Sequence, residues 1–296
     1  KIVFLPNGVR LSDFPALGGG MDRFKGDGRD HGSTGGEEGN DAKRSGDAEH
    51  RRARARRRYG MDGFVEVYTG AHGPDNALET VLEAARILEE GNARGEERLA
   101  KGNQVAIARD GAVCDPGDDA AGGADGNCGL LESAAASDGL PGDMAVRFFL
   151  VGDGPAKEGL MQRAEALGLT NLRFLDPVPK AQVPELLWAA DAAVITLRDV
   201  AAFGYAVSPN KLFDYLAAGK PVLAAVPGAM ARLVAEAGAG YAVPAEDPGA
   251  LAAAVMRLAA LPVAERWAMG RRGRELVEEE FCREKLAEKL GSLLAE

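Results

Sequence analysis

Short apolar runs alternate along the chain with longer segments in which apolar residues recur every three or four positions. Phe64 to Tyr68 reads as a short strand. From Asn76 to Leu88, Leu78, Val81, Leu82, Ala85 and Leu88 share one helical face. Val146 to Val151 is nearly continuous apolar sequence, as a strand buried on both faces requires. The spacing then predicts a helix over Lys157 to Leu167, a strand over Leu172 to Leu175, a helix over Val183 to Ala190 and a strand over Ala192 to Leu197. Ser208 is a natural N-cap and Pro209 a natural first helical residue, so the next helix runs to Ala218 and stops at Gly219. A strand at Pro221 to Val226, a helix at Ala229 to Ala237 and a strand at Gly240 to Val243 follow. Asp247-Pro248 repeats the cap-plus-proline signature before Ala250 to Leu261, and helices around Val263 to Glu279 and Arg283 to Leu294 close the chain. This order predicts an α/β domain with a doubly wound parallel sheet. Such sheets bind ligands beyond the carboxyl ends of their strands.

Two stretches break the pattern. Residues 18–63 hold 12 Gly and the Arg51 to Arg58 run, with six Arg in eight positions. Residues 91–145 hold 11 Gly, 10 acidic and 4 basic residues. Neither keeps a period of 3.6 or 2, so both are expected to be mostly disordered insertions. The expected layout is a crossover and domain start at 1–17, the first insertion at 18–63, and one folded domain over 64–296 interrupted at 91–145. Composition changes this picture little. The net charge of −10 excludes a general nucleic-acid binder. Cys114, Cys128 and Cys282 make neither a disulfide framework nor a zinc set. No apolar run reaches the ~18 residues of a membrane span, and no secretory leader is expected. The arginine run is a candidate for contact with anionic lipid.

The strand-to-helix turns are the candidate ligand loops. They are Thr69-Gly70-Ala71-His72-Gly73, Gly152-Asp153-Gly154-Pro155, Asp176-Pro177-Val178-Pro179 and the approach to Ser208-Pro209-Asn210-Lys211. Glycine lets backbone approach a ligand closely, and a helix start offers unpaired N–H groups to an anion. Lys211 adds a point charge. Asp214 lies on the same helical face as Asn210, one turn on. A cation and a carboxylate so placed suit a phosphate and a sugar diol. Each also has a plain reading: Gly152 and Gly154 as a tight turn, Lys211 and Asp214 as an i, i+3 surface pair. No G-x-G-x-x-G or P-loop fingerprint is present.

Seven blocks, in order, resemble the carboxyl-terminal domain of a GT-B glycosyltransferase of the retaining family 4 group. They are FLPNGV at 4–9, VYTGAHG at 67–73, FFLVGDGPAKEGL at 148–160, NLRFLDPVPKAQVPELLWAADAAV at 171–194, VSPNKLFDYLAAGKPVLAA at 207–225, AGAGYAVPAEDPGALAAAV at 237–255 and MGRRGRELVEEEF at 269–281. The SPNKLFDYLAAGKPV stretch is the most specific and resembles the bacterial branch that builds capsule, colanic acid and O-antigen, including amino-sugar transferases.

The resemblance implies the Rossmann-like, nucleotide-sugar-binding half of a two-domain enzyme, with the amino-terminal acceptor domain missing from this chain. It implies that Gly70, His72 and Gly73 meet the diphosphate and donor sugar, and that Gly152 lies at the strand end below the nucleotide. Pro177 and Val178 would meet the base. Ser208, Asn210 and Lys211 would stand near the diphosphate and sugar, with Lys211 as the catalytic cation, and Asp214 would bind the ribose hydroxyls. An E-x7-E pair common in the family is replaced here by Ala206 and Asp214. The implied reaction transfers a sugar from a nucleotide-diphosphate donor, UDP at the family level, to a glycan or lipid-linked acceptor with retention. No cofactor and no metal are expected, no nucleic-acid partner, and a cytoplasmic location with peripheral contact at the inner membrane face. The alternatives are a UDP-sugar 2-epimerase of similar architecture and a non-catalytic nucleotide-sugar-binding fragment.

Overall fold

The computed structural model describes residues 9–14, 38–94, 145–200 and 210–295. Among these, six strands form one parallel sheet: β1 (Phe64–Thr69), β2 (Val146–Val151), β3 (Leu172–Leu175), β4 (Ala192–Thr196), β5 (Val222–Ala225) and β6 (Gly240–Ala242). The strand order is β3-β2-β1-β4-β5-β6. The order reverses beside β1, which pairs with β2 on one side and β4 on the other. This is the doubly wound, Rossmann-like arrangement expected from the alternation.

Nine helices flank or cap the sheet among the described residues: α1 (Glu38–Tyr59), α2 (Glu79–Arg94), α3 (Lys157–Ala166), α4 (Val183–Ala189), α5 (Asn210–Ala217), α6 (Ala229–Glu236), α7 (Pro248–Ala260), α8 (Val263–Leu276) and α9 (Arg283–Ala295). One face of the sheet packs on α2 and α7 through Val81, Leu82, Leu251 and Val255. The other packs on α4, α5 and α6 through Leu186, Leu187, Leu212, Leu216 and Val234. Period-3.6 apolar stripes on both layers therefore meet strands that are apolar on both sides, as a parallel sheet demands. Asp247 caps α7 as its Asp-Pro signature predicts, accepting the Ala250 N–H at 2.9 Å. Val9 joins the carboxyl-terminal segment, its N–H donating to Phe281 O at 3.1 Å.

The expectation of a disordered insertion over 18–63 is corrected for its second half, where α1 is a 22-residue helix. Its arginines have partners far along the chain. Arg52 Nη2 lies 2.5 Å and Arg56 Nη2 3.4 Å from the Asp191 carboxylate, which also accepts the Val65 N–H at 2.9 Å. Arg58 pairs with Glu185 at 2.9 Å, and Ala55 is buried. Three of the six arginines thus have partners elsewhere in the fold, and two of them, Arg52 and Arg56, turn inward. The helix expected from Asn76 instead begins after a 3-10 turn at Pro74–Asn76 and continues to Arg94, into the second insertion. The rest of that insertion, Cys114 and Cys128 with it, lies outside the described residues, as do Ala206, Ser208 and Pro209.

Glu66 is a local contradiction of the pattern. It occupies the middle of β1, opposite Phe148 and Ala192, fully buried and with neither carboxylate oxygen hydrogen-bonded. Burial, with the Asp191 charge adding, raises its pKa well above the ordinary 4.5. The folded state therefore holds a proton that the unfolded state releases above its own pKa, and stability falls as pH rises through that interval. The slope expected from this one proton is about 1.4 kcal/mol per pH unit while the folded carboxyl stays protonated. Glu66→Gln removes it. Urea unfolding of both proteins between about pH 5.5 and 7.5 measures the difference, and parallel pH dependences would contradict a protonated Glu66.

Candidate functional site

The carboxyl ends of β1, β2 and β3 open onto a cleft of about 630 Å³. Thr69, Gly70 and Ala71 line it from the end of β1 and its loop, and Val151, Gly152 and Asp153 from the end of β2 and its loop. Pro177, Val178 and Lys180 follow β3, with Val183 at the start of α4. Asn210, Lys211 and Asp214 complete it from the first turns of α5. Of the sequence-predicted residues, the structure thus brings together Gly70, Gly152, Pro177, Val178, Asn210, Lys211 and Asp214. The crevice sits where the strand order reverses, as expected for this topology.

Lys211 is held by β1 and the loop after it. Its Nζ donates to Tyr68 Oη at 2.5 Å and to Asn76 Oδ1 at 2.8 Å, and lies 4.2 Å from the Tyr68 ring centroid. Tyr68 in turn donates its hydroxyl to Ala71 O at 2.8 Å. Burial pushes the ammonium down to about 7. The two acceptors and the ring face work against that shift by favouring the charged form. One turn on, Tyr215 Oη accepts the Thr69 N–H at 2.8 Å. Lys211 and Tyr215, at i and i+4 on α5, therefore fix the loop after β1 between them.

Two glycines make the approach possible. Gly152 has φ +152°, and a Cβ there would lie 1.8 Å from Gly70 O. Gly70 has φ +138°, and a Cβ would stand 3.3 Å from Lys211 Cε. The first βα loop thus crosses directly over the end of β2, with the Gly70 N–H donating to Val151 O at 3.0 Å.

Asp214 is half-buried on the same wall. Burial raises its carboxyl to about 6, with Asp13 adding and Lys180 and Arg283 opposing. The plain reading of Lys211 and Asp214 as an i, i+3 ion pair does not hold. Lys211 is bound to Tyr68 and Asn76 instead, which leaves Asp214 facing the cleft.

His72 and Gly73 stand apart from this set. His72 is fully buried behind the cleft wall, between the Tyr68 and Phe174 rings at 6.0 Å each, and neither ring nitrogen has a partner. Burial and the Lys157 charge lower its pKa to about 4, so the ring is neutral at pH 7. Its backbone does the structural work, accepting the Ala156 N–H at 2.9 Å and donating to Asp153 O at 2.8 Å. Gly73 precedes the Pro74–Asn76 turn with an ordinary φ of −98°. Sequence reasoning missed Tyr68 and Tyr215 as partners of the loop. Their signal was a polar hydroxyl in an otherwise apolar buried run, which needs a partner when buried.

Similar proteins agree with this architecture. WbjE of Pseudomonas aeruginosa, a probable glycosyltransferase, is 36% identical over 107 residues, covering 36% of this chain and 26% of WbjE. Sucrose-phosphate synthase of Thermosynechococcus elongatus superposes with a TM-score of 0.56 at 19% identity, covering 98% of this chain and 51% of that one. Anabaena HepE, solved with UDP and glucose, gives a TM-score of 0.55 at 16% identity, covering 83% and 52%. The chain thus spans about a quarter of WbjE in the matched stretch and about half of each structural neighbour. The sheet and its helices are the Rossmann-like half of a GT-B fold. Residues 105–260, more than half of the chain, match the family described as glycosyl transferases group 1, and the chain belongs to that family.

Proposed function

We propose that the chain is the donor-binding half of a retaining family 4 glycosyltransferase that takes a UDP-sugar and transfers a hexose or N-acetylhexosamine to a glycan or lipid-linked acceptor. The observation that carries this reading is the pairing, in one cleft, of the buried Lys211 ammonium with Asp214 one helical turn away. Lys211 faces the position of the donor diphosphate and balances the charge that grows on it as the glycosidic C–O bond breaks. The Asn210 end of α5 adds the positive end of the helix dipole. Asp214 accepts from the ribose hydroxyls, and the Pro177–Val178 backbone meets the base. The acceptor oxygen bonds to the anomeric carbon as the nucleoside diphosphate leaves, and the acceptor proton passes to a phosphate oxygen of the leaving group. Charge balance is thereby assigned to Lys211 and backbone N–H groups, with no metal required. The capsule and O-antigen branch and a cytoplasmic location belong to the same reading. HepE, solved with UDP and with UDP-glucose, supports the choice of base.

Asp214 offers the discriminating variant. Its carboxyl is raised from 3.8 to about 6, so the folded state retains a proton between those values and loses stability as pH rises through them. At pH 7 the ionised group weakens the fold by up to about 3 kcal/mol. Asp214→Asn is therefore expected to raise the unfolding midpoint at pH 7 while lowering UDP affinity about tenfold. Isothermal titration with UDP and GDP, paired with urea unfolding, checks both. A variant that loses stability and binds UDP as the parent does contradicts the ribose assignment.

A further inference from the structure

Thr196 and Arg198, where the chain leaves β4, clamp the 3-10 turn at Pro74–Asn76. Each carbonyl of the turn accepts a bond from them. Pro74 O accepts Arg198 Nε at 3.0 Å, Asp75 O accepts the Arg198 N–H at 3.0 Å, and Asn76 O accepts the Thr196 hydroxyl. Arg198 is itself fixed by Glu79 on α2 at 3.2 Å and by Glu246 at 2.7 Å. The second Glu246 oxygen accepts the Asp199 N–H at 2.8 Å. Among the described residues, the non-glycine positions with positive φ are Ala77, at +45°, and Glu246, at +57°. Ala77 closes the turn and Glu246 braces its clamp, so both strained residues belong to one network. Such conformations persist where the surrounding contacts over-determine them, and they gather at sites that must be held in place. The clamp binds only the backbone of the turn. The Asn76 side chain goes instead to Lys211, its Oδ1 accepting from Nζ at 2.8 Å. An ammonium carries donors only, so the amide oxygen is the atom that must face it. Tyr68 and Asn76 together take two of the three N–H groups of Lys211, and the third remains for a ligand in the cleft that Lys211 lines.

We propose that Asn76 is a positioning residue for Lys211, and that the clamp of Thr196, Arg198, Glu79 and Glu246 sets where Asn76 stands. The proposal rests on the reading of Lys211 as the cation that meets the donor diphosphate, and adds what aims it. Asn76 does not line the cleft. It acts through Lys211, by occupying one N–H and by favouring the charged ammonium over the neutral amine. Burial opposes it, holding the ammonium at about 7. The other ionisable groups around Lys211 are Tyr68 on β1, His72 in the loop after it, Lys157 on α3, Lys180 before α4, and Asp214 and Tyr215 on α5. Asp75, Glu79 and Arg198 lie beyond the turn. Burial pushes both tyrosines up and His72 down to about 4, and Asp214 titrates at about 6. The loss of the Lys211 proton is therefore separable from theirs.

Isothermal titration of the full chain with inorganic pyrophosphate between about pH 6 and 9 tests the proposal, together with the Lys211 Cε chemical shift followed by NMR over the same range. Lys211→Met assigns that resonance. In the parent, affinity is expected to fall above about pH 7, as the amine must take up a proton to bind. Asn76→Leu should weaken binding about tenfold at pH 7 and move both the fall and the NMR midpoint down by about one pH unit. Asn76→Asp should move both midpoints up by about one unit or more, because a carboxylate beside the ammonium favours its charged form. Arg198→Met should act in the same direction as Asn76→Leu, by several-fold. A purely structural role would lower stability or affinity alike at every pH and leave the midpoints where they are. Urea midpoints establish that the variants fold, and if the Asn76 variants do not, Arg198→Met decides. If Lys211→Met loses affinity while the Asn76 and Arg198 variants keep the parent's midpoints, the proposal is overturned and the diphosphate reading stands. If Lys211→Met binds pyrophosphate as the parent does, that reading fails and the proposal with it.

Discussion

Lys211→Met is expected to weaken UDP binding by between about tenfold and a hundredfold, the range for removing a hydrogen bond to a charged group. The loss should carry a pH signature. In the free protein burial holds the ammonium at about 7. Diphosphate binding favours the charged form, so the complex takes up a proton above that pH. Affinity for a UDP-sugar should therefore fall as pH rises from about 6.5 to 8.5 in the parent and stay flat in Lys211→Met. Titration in buffers of different ionisation heats measures the proton directly. Stability should move the other way. A lysine whose folded pKa lies below 10.5 loses its proton on folding between those values, so its destabilising effect is present in full below about 7 and fades as pH rises. Methionine removes that effect, so the variant should fold at least as well while losing ligand. A variant with unchanged UDP affinity, or with the parent's pH dependence, would show that Lys211 only ties α5 to Tyr68 and Asn76.

Gly152→Ala should be strongly damaging. The residue sits at φ +152°, and the new Cβ would lie 1.8 Å from Gly70 O, a backbone atom that cannot turn aside. Either β2 or the loop after β1 must move, and that loop carries both the cleft wall and the contacts to Lys211 and Tyr215. A loss of about 3 kcal/mol or more is expected, with UDP binding lost as well. Gly73→Ala provides the contrast. Its φ is −98° and its Cβ would lie 3.6 Å from Asn76 Nδ2, ordinary contact, so a change within about 1 kcal/mol is expected. Unfolding midpoints of the two variants separate a glycine required by geometry from one that is merely nearby. Equal, small effects would mean that the crossing of the first loop over β2 is not rigid.

The strands were the most legible part of the chain. Val146–Val151 and Leu172–Leu175 are identical in expectation and structure, and the other strands differ by one residue at one or both ends, because apolar runs bounded by Gly, Pro and Asp leave few choices. The arginine run was not legible. Its inward members are neutralised by Asp191, more than 130 residues later, and no local period records such a partner. At the site, Lys211 and Asp214 were legible from type and spacing, but the identity of their neighbours was not. Tyr68 and Asn76 come from a strand and a turn that only the parallel sheet brings to α5. His72 was expected near the diphosphate and donor sugar because the resemblance matches it to the glycine-rich loop after the first strand. The same glycines let the loop fold over it and bury it against Tyr68 and Phe174.

The most direct measurement is a crystal structure of this chain with UDP. The diphosphate is expected within hydrogen-bond reach of Lys211 Nζ, the ribose hydroxyls against Asp214, and the base over Pro177–Val178. A nucleotide bound elsewhere, or one that reaches the cleft without touching Lys211 or Asp214, would contradict the assignment.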